Sequence, residues 1–123
     1  MPARTVGRIQ TRAAFGALRR SKCRASSGPV RAVFVPVPDG DPGVFPQVGY
    51  VISRRCGSAV TRNTLRRRLR ASVRDVAGRL TRGTYLVRLE PDAGRWDRAE
   101  LARCAQDALL RAGRTGRSER QAS

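Results

Sequence analysis

Ser58-Ala59-Val60-Thr61-Arg62-Asn63-Thr64-Leu65-Arg66-Arg67-Arg68-Leu69-Arg70-Ala71-Ser72-Val73-Arg74-Asp75-Val76-Ala77-Gly78-Arg79-Leu80 is the stretch from which the rest of the chain is read. Ser58 suits the N-cap of a helix over 59–80, because its side-chain oxygen can accept from an orphan amide of the first turn. At about 100° per residue, Ser72, Leu65, Val76, Leu69, Leu80 and Val73 fall within an arc of roughly 100°. That arc is a core-facing stripe. Arg66, Ala77, Arg70, Asn63, Arg74 and Arg67 fill an adjoining arc of about the same width. The helix is therefore expected to be dry on one side and strongly positive on the other.

Working outward, residues 48–53 alternate as a strand, with Val48, Tyr50 and Ile52 on one face and Gly49, Val51 and Ser53 on the other. Residues 30–37 form an earlier strand in which Val33, Val35 and Val37 share a face, and Pro36 points to its edge or end. Asp39-Gly40-Asp41-Pro42-Gly43 has turn composition, so the two strands are expected to pair as an antiparallel hairpin. Ser26-Ser27-Gly28-Pro29 breaks the chain before them. Ahead of that break, Thr11 can cap a short helix over 12–21 with a thin apolar stripe of Ala14, Phe15 and Leu18.

Beyond the central helix, residues 84–90 make a third strand with Tyr85, Val87 and Leu89 alternating, ended by Pro91. Asp97 and Glu100 stand in a capping-box pattern before a last helix with Leu101, Ala105, Ala108, Leu109 and Ala112 at core spacing, expected to stop at Gly113. Residues 114–123 are polar and aperiodic and are expected to be a disordered basic tail. The sum is one domain over 1–113, an α+β two-layer sandwich with helices against a mostly antiparallel sheet.

Charge narrows the function. The 123 residues hold 26 Lys plus Arg against 9 Asp plus Glu, a net +17, and 25 of the 26 bases are Arg. Residues 1–29 and 51–74 carry almost all the excess, with fifteen bases and no acid between them. Such concentration raises the free energy of the compact state by self-repulsion, and a polyanionic partner is the economical reason to keep it. Guanidinium forks bond phosphate bidentately and stack on bases, which favours nucleic acid over an anionic membrane. His is absent, so imidazole dyads and imidazole metal sites are excluded. Cys23, Cys56 and Cys104 are widely spaced and odd in number, which reads as reduced thiols. With no apolar run long enough for a signal peptide or a membrane span, a cytoplasmic protein with no membrane partner is expected.

Individual residues keep two readings. A metal-dependent nuclease needs clustered carboxylates, but Asp39 and Asp41 are explained by the turn, Asp97 and Glu100 by capping, and Asp75 by its arginine neighbours. Cys56 reads as a small buried thiol rather than a nucleophile, since no base stands near it in sequence. Asn63 is either a helix-start residue or an RNA contact. Phe15 is either core or a ring on which an unpaired base stacks. The arginine face of 54–74, with no acid in it, reads as a phosphate-binding surface rather than a solvated one. No catalytic centre or metal site is expected in the chain itself.

Residues 51–70, Val-Ile-Ser-Arg-Arg-Cys-Gly-Ser-Ala-Val-Thr-Arg-Asn-Thr-Leu-Arg-Arg-Arg-Leu-Arg, resemble the signature of the bacterial ribonuclease P protein subunit. In that family a strand ending Val-Ser-Lys-Lys leads through Gly-Asn-Ala-Val into an Arg-Asn-Arg helix. The resemblance implies the order αβββαβα, with a left-handed β-α-β crossover against the common right-handed rule. It implies a catalytic RNA subunit as the partner and catalyst, precursor tRNA as substrate, Mg²⁺ held mainly by the RNA, and no obligate protein partner. It assigns the 5′ leader to Phe15, Ser53, Arg54 and Arg55, and the catalytic RNA to Arg62, Asn63, Arg66, Arg67 and Arg70. Two positions depart from the pattern. Thr64 replaces the second arginine of Arg-Asn-Arg, and Arg19 stands where many members have a second aromatic, which implies weaker stacking and stronger phosphate contact. A structural binder such as a small ribosomal protein is the alternative.

Overall fold

The computed structural model describes residues 12–36 and 46–122, with the side chains of 16–36 and 46–115. In chain order the elements are α1 (Arg12–Arg20), β1 (Cys23–Ser27), β2 (Val30–Pro36), β3 (Gln47–Val51), α2 (Ala59–Val76), β4 (Gly83–Leu89) and α3 (Arg98–Ala122). Short 3₁₀ turns occupy Arg54–Cys56, Ala77–Arg79 and Pro91–Arg95. The four strands lie in the order β1-β2-β4-β3. The β1–β2 and β2–β4 pairs are antiparallel and β3–β4 is parallel, so the expected α+β class and mostly antiparallel sheet are what forms.

Three local expectations are corrected. Ser26 and Ser27 do not break the chain but end β1, which is legible in sequence only as Cys-Arg-Ala-Ser-Ser. Its inward residues are small, so the apolar alternation that marks a strand is faint. Gly28, at φ 53, closes the tight link to β2, with Ser27 facing Val30. Only glycine reaches that conformation without strain, and a Cβ there would also strike Cys104 Sγ at 2.7 Å and the Trp96 ring at 2.9 Å.

Nor do β2 and β3 pair with each other, because β4 lies between them. Tyr85, Val87 and Leu89 of β4 are all buried, and a strand whose whole inner face is removed from water suits an interior place in the sheet. A parallel neighbour then requires a long crossover, which α2 supplies. The turn at 39–43 and Val37 lie outside the described residues. Thr11 does too.

Finally, α3 does not stop at Gly113 but continues to Ala122. Gly113 keeps a negative φ and has a different use, since a Cβ on it would lie 2.7 Å from the Tyr85 hydroxyl. It permits close approach of helix to strand. Tyr85 in turn donates to the Thr81 carbonyl at 2.7 Å.

The core fills one side of the sheet. Val30, Ala32 and Phe34 of β2, Val48 of β3, and Tyr85, Val87 and Leu89 of β4 meet Leu65, Leu69, Val73 and Val76 of α2 and Leu101, Ala105, Ala108, Leu109 and Ala112 of α3. Every residue of the expected dry stripe of α2, Ser72 and Leu80 included, is buried. Ser72 satisfies its hydroxyl on the carbonyls of Arg68 and Leu69, and its own carbonyl accepts from Gln106 Nε2 at 3.0 Å, tying α2 to α3. Asp97 Oδ2 accepts from the Ala99 amide at 3.1 Å and starts α3 as expected.

Opposite the core, α1 lies against the other side of the sheet. Leu18 is 2% exposed yet stands outside the core cluster, and Arg24, whose neighbour Cys23 points into the core, reaches the last turn of α1. Its Nε and Nη2 donate to the carbonyls of Ser21 and Arg19, each at 3.0 Å, and Ser21 Oγ donates to the Phe34 carbonyl. The two Arg24 bonds satisfy carbonyls that the end of α1 leaves without helical partners.

Candidate nucleic-acid interface

Residues 53–56 are built around an anchor. Cys56 is buried, its amide donates to the Ser53 carbonyl at 3.0 Å, and its Sγ lies 3.5 Å from the Glu90 carbonyl. With Cys56 turned inward, Ser53, Arg54 and Arg55 are all exposed at the end of β3. The thiol has a structural job, as its sequence setting suggested.

Ser58 then caps α2, accepting from the Thr61 amide at 3.2 Å. The cap fixes which residues face out. Asn63, Arg67, Arg70 and Arg74 are exposed, and Arg62 and Arg66 are half-buried. Since Ser58 is the cap, Asn63 is not a helix-start residue. Its Oδ1 accepts from Arg66 Nη1 at 3.2 Å and steadies that guanidinium. Arg62 Nε is fully buried with no partner among the described residues, so one donor there waits for an acceptor. The Arg70 guanidinium carbon sits 5.9 Å from the centre of the Tyr50 ring, within cation–π range. Burial pushes the Tyr50 hydroxyl up to about 12, against the opposing pull of Arg70 and Arg74. Thr64 turns its hydroxyl to the Val60 carbonyl at 3.0 Å and so closes on its own helix rather than on the basic face.

A further surface escaped the sequence reading. On the side away from the core, Val33 and Val35 of β2, Leu86 of β4 and Val51 of β3 are only half-buried. Arg88 lies directly across from Val51 on one side and Arg31 on the other. Arg31 Nε is held by Glu90 Oε1 at 2.5 Å, whereas Arg88 is exposed with no ion pair among the described residues. In β2 the face that the alternation of Val33 and Val35 marks is this half-buried one, and the core takes the other set, Val30, Ala32 and Phe34. This half-apolar floor runs into Ser53–Arg55 at its β3 end. The structure thus brings Ser53, Arg54, Arg55, Arg62, Asn63, Arg66, Arg67 and Arg70 onto consecutive turns of one region. Phe15 lies in α1, but its side chain is outside the described residues.

Among the described residues no three His, Cys, Asp or Glu side chains gather, and the arginine face offers N–H donors rather than oxygen ligands. Those side chains do not fit a magnesium site. No helix among the described residues is long and apolar enough to cross a membrane.

An α+β domain that keeps an acid-free arginine helix face and a half-apolar, arginine-edged sheet face has the electrostatic footprint of a nucleic-acid-binding protein. Residues 4–113 match the family model described as Ribonuclease P. A ribonuclease P protein component from Streptomyces griseus is 38% identical over 115 residues, covering 87% of this chain and 92% of that protein. One from Thermobifida fusca is 39% identical over 110 residues, 85% of this chain and 74% of that protein. The fold is similar to the ribonuclease P protein of Thermotoga maritima, with TM-score 0.70 at 22% identity over 85% of this chain and 96% of that one. It is similar also to that of Staphylococcus aureus, with TM-score 0.70 at 16% identity over 86% and 88%. The chain belongs to the ribonuclease P protein family, and its function is that of a protein component of ribonuclease P in tRNA 5′ processing.

Proposed function

We propose that this protein supplies binding and not chemistry to ribonuclease P in the cytoplasm, with the RNA subunit as catalyst. The basic face of α2, through Arg62, Asn63, Arg66, Arg67 and Arg70, takes phosphates of the catalytic RNA. The single-stranded leader of precursor tRNA runs over the uncovered sheet face to Ser53, Arg54 and Arg55, with Phe15 as a stacking platform on α1. Magnesium ions are held mainly by the RNA, and no protein partner is needed.

The observation that carries this reading is that the arginine face is held by contacts within the chain. Asn63 holds Arg66, the Tyr50 ring supports Arg70, and Arg62 keeps an unpaired buried donor. Guanidinium groups fixed in this way lose less side-chain entropy on binding phosphate than free ones do. Their charge replaces part of the ion screening that RNA packing requires.

Cleavage of precursor tRNA by the catalytic RNA, with and without the protein at low magnesium, tests the proposal. Cleavage should rise sharply when the protein is added, and the protein alone should be inert. RNA-free cleavage that survives nuclease treatment of the preparation would overturn it.

A further inference from the structure

The first turn of α2 differs from the rest of the basic stretch. Residues 51–74 hold eight arginines and no acid, yet residues 56–61 hold no charge at all. Ser58 caps the helix, and its hydroxyl donates in turn to Thr61 Oγ1 at 3.2 Å. Thr61 is half-buried: a Cβ on Gly57 would lie 3.0 Å from its Cγ2, and one on Gly94 of the Pro91–Arg95 turn would lie 3.9 Å from the same methyl. One position earlier, and about 100° away round the helix, Val60 is therefore turned to the outside. It is 77% exposed, the one large apolar side chain so exposed among the described residues.

A single exposed valine is ordinary on a protein surface. This one is set among cations. At about 100° per residue, Val60 falls roughly 20° from Arg67, 40° from Arg74 and 60° from Asn63 round the helix, so it heads the row that those exposed residues form. Arg54 and Arg55 are exposed on the other side of Gly57. Thr64, one turn on, donates to the Val60 carbonyl at 3.0 Å, so with the Ser58–Thr61 bond the hydroxyl protons around Val60 are used within the chain. What the turn offers outward is apolar surface with phosphate-binding groups on either side. An occupant must carry anions flanking an apolar face, and a nucleotide strand does, with a phosphate on each side of every sugar and base. An apolar protein surface would bury the arginines with no acids to meet them.

We infer that Val60 packs against the sugar and base of an unpaired nucleotide of the catalytic RNA, between phosphates held by Arg55 and by Arg67, so that this surface recognises the RNA by fit as well as by charge. The inference rests on the reading of α2 as the face that meets this RNA. The nucleotide has to be unpaired, because a duplex keeps its bases stacked and presents phosphates, 2′-hydroxyls and base edges, which are polar. Phosphate contacts fix position and carry no sequence information. A methyl surface that must be covered does discriminate, since an RNA shape that leaves it wet forfeits the burial. Val60 thus makes an otherwise electrostatic face selective for one local RNA shape.

The test is titration of the full-length protein with the catalytic RNA across monovalent salt, comparing the natural chain, Val60→Ala, Val60→Ile, and Arg66→Ala with Arg70→Ala. Val60→Ala removes two methyl groups from the contact and should lower affinity about fivefold at every salt concentration. Its log-log slope should not change, because no phosphate contact is lost, whereas the arginine pair should reduce the slope by about 2. Val60→Ile keeps the apolar contact and should bind within about twofold of the natural chain. A fully paired RNA duplex should bind Val60→Ala and the natural chain equally. The melting temperature should not fall in Val60→Ala, since the side chain is exposed and alanine is the better helix former; a fall would make Val60 a packing residue and overturn the inference. Unchanged affinity of Val60→Ala for the catalytic RNA, with the arginine pair still weakened, would overturn it too and leave the α2 reading intact. A loss seen equally on the duplex, or on precursor tRNA and not on the catalytic RNA, would make the assignment wrong. Failure of the natural chain to bind the catalytic RNA would overturn both readings.

Discussion

The two sides of α2 are specified by different physics. Leu65, Leu69, Ser72, Val73 and Val76 are recognisable because each is removed from water against a partner inside the same chain. Among the described residues, the partners of Asn63, Arg66 and Arg70 on this side are one another and Tyr50. The dry side is fixed by apolar area and shape, and a change there is felt as stability. The wet side is fixed by charge and by what it must meet, and a change there is felt as binding. One helix of 18 residues carries both, which makes the two separable by experiment.

Salt gives the largest effect. If the basic surfaces engage about 6 to 10 phosphates, affinity for the catalytic RNA should fall by roughly 10³ to 10⁵ between 50 and 200 mM monovalent salt through counterion release. The melting temperature of the free protein should move the other way over the same range, rising modestly as salt screens the self-repulsion of its excess positive charge. A nearly flat log-log binding plot would break the contrast.

Next come substitutions that touch one side at a time. Leu69→Ala removes a fully buried side chain and should cost about 2 to 5 kcal/mol of stability, measured by denaturant unfolding. At concentrations corrected for the folded fraction, its RNA affinity should stay within about twofold. Arg66→Ala with Arg70→Ala should do the reverse, leaving stability within about 0.5 kcal/mol while weakening RNA binding at least tenfold through lost charge-assisted bonds. The loss should be uniform across precursor sequences, as phosphate contacts carry no sequence information.

The same contrast explains how much was legible beforehand. Periodicity finds residues that hide, so the α2 stripe, the α3 stripe and the inner face of β4 were readable one by one. β1 was not, because Ala25 and Ser27 bury too little apolar surface to show a pattern. Pairing of β2 with β3 follows from proximity in sequence, and proximity cannot see that β4, arriving thirty residues later with a fully buried inner face, takes the place between them. Gly113 was read as a helix stop since glycine commonly ends helices, yet here the missing Cβ makes room for the Tyr85 hydroxyl, a contact 28 positions away in the chain. Charge clustering exposed the arginine face directly. What it could not give was the order within that face, such as the Asn63–Arg66 bond, which depends on where Ser58 sets the helix, or the support of Arg70 by a ring on β3.

A smaller effect belongs to α1. Phe15→Ala should shrink the preference for leader-bearing precursor over mature tRNA about fivefold or more, as a stacked base is worth ~1–3 kcal/mol. Competition binding of the two RNAs to the assembled enzyme measures it. Unchanged preference with a melting temperature several degrees lower would make the ring a packing residue instead.

The finest test lies at the seam, where Tyr50 belongs to both sides: its ring is packed on the core and Arg70 rests over its face. The hydroxyl is held up to about 12 by burial, from an ordinary value of 10 in the unfolded chain. The folded state therefore disfavours the phenolate, and the arginines only partly offset that. Below pH 10 the tyrosine is neutral in both states and its contribution is fully present. Between pH 10 and 12 the unfolded chain ionises first and stability is lost. Tyr50→Phe keeps the ring and removes the ionisation, so urea unfolding followed from pH 9 to 12 should show a shallower decline than in the natural chain. A remainder should persist, because burial raises the Tyr85 hydroxyl as well. RNA affinity at pH 7 should be unchanged in Tyr50→Phe and reduced about two- to threefold in Tyr50→Leu, where the partner of Arg70 is lost, in line with ~0.5–1 kcal/mol for an exposed cation–π contact. Equal affinities for the Phe and Leu variants would show that the ring serves only the dry side, and that Arg70 is ordered by the RNA rather than for it.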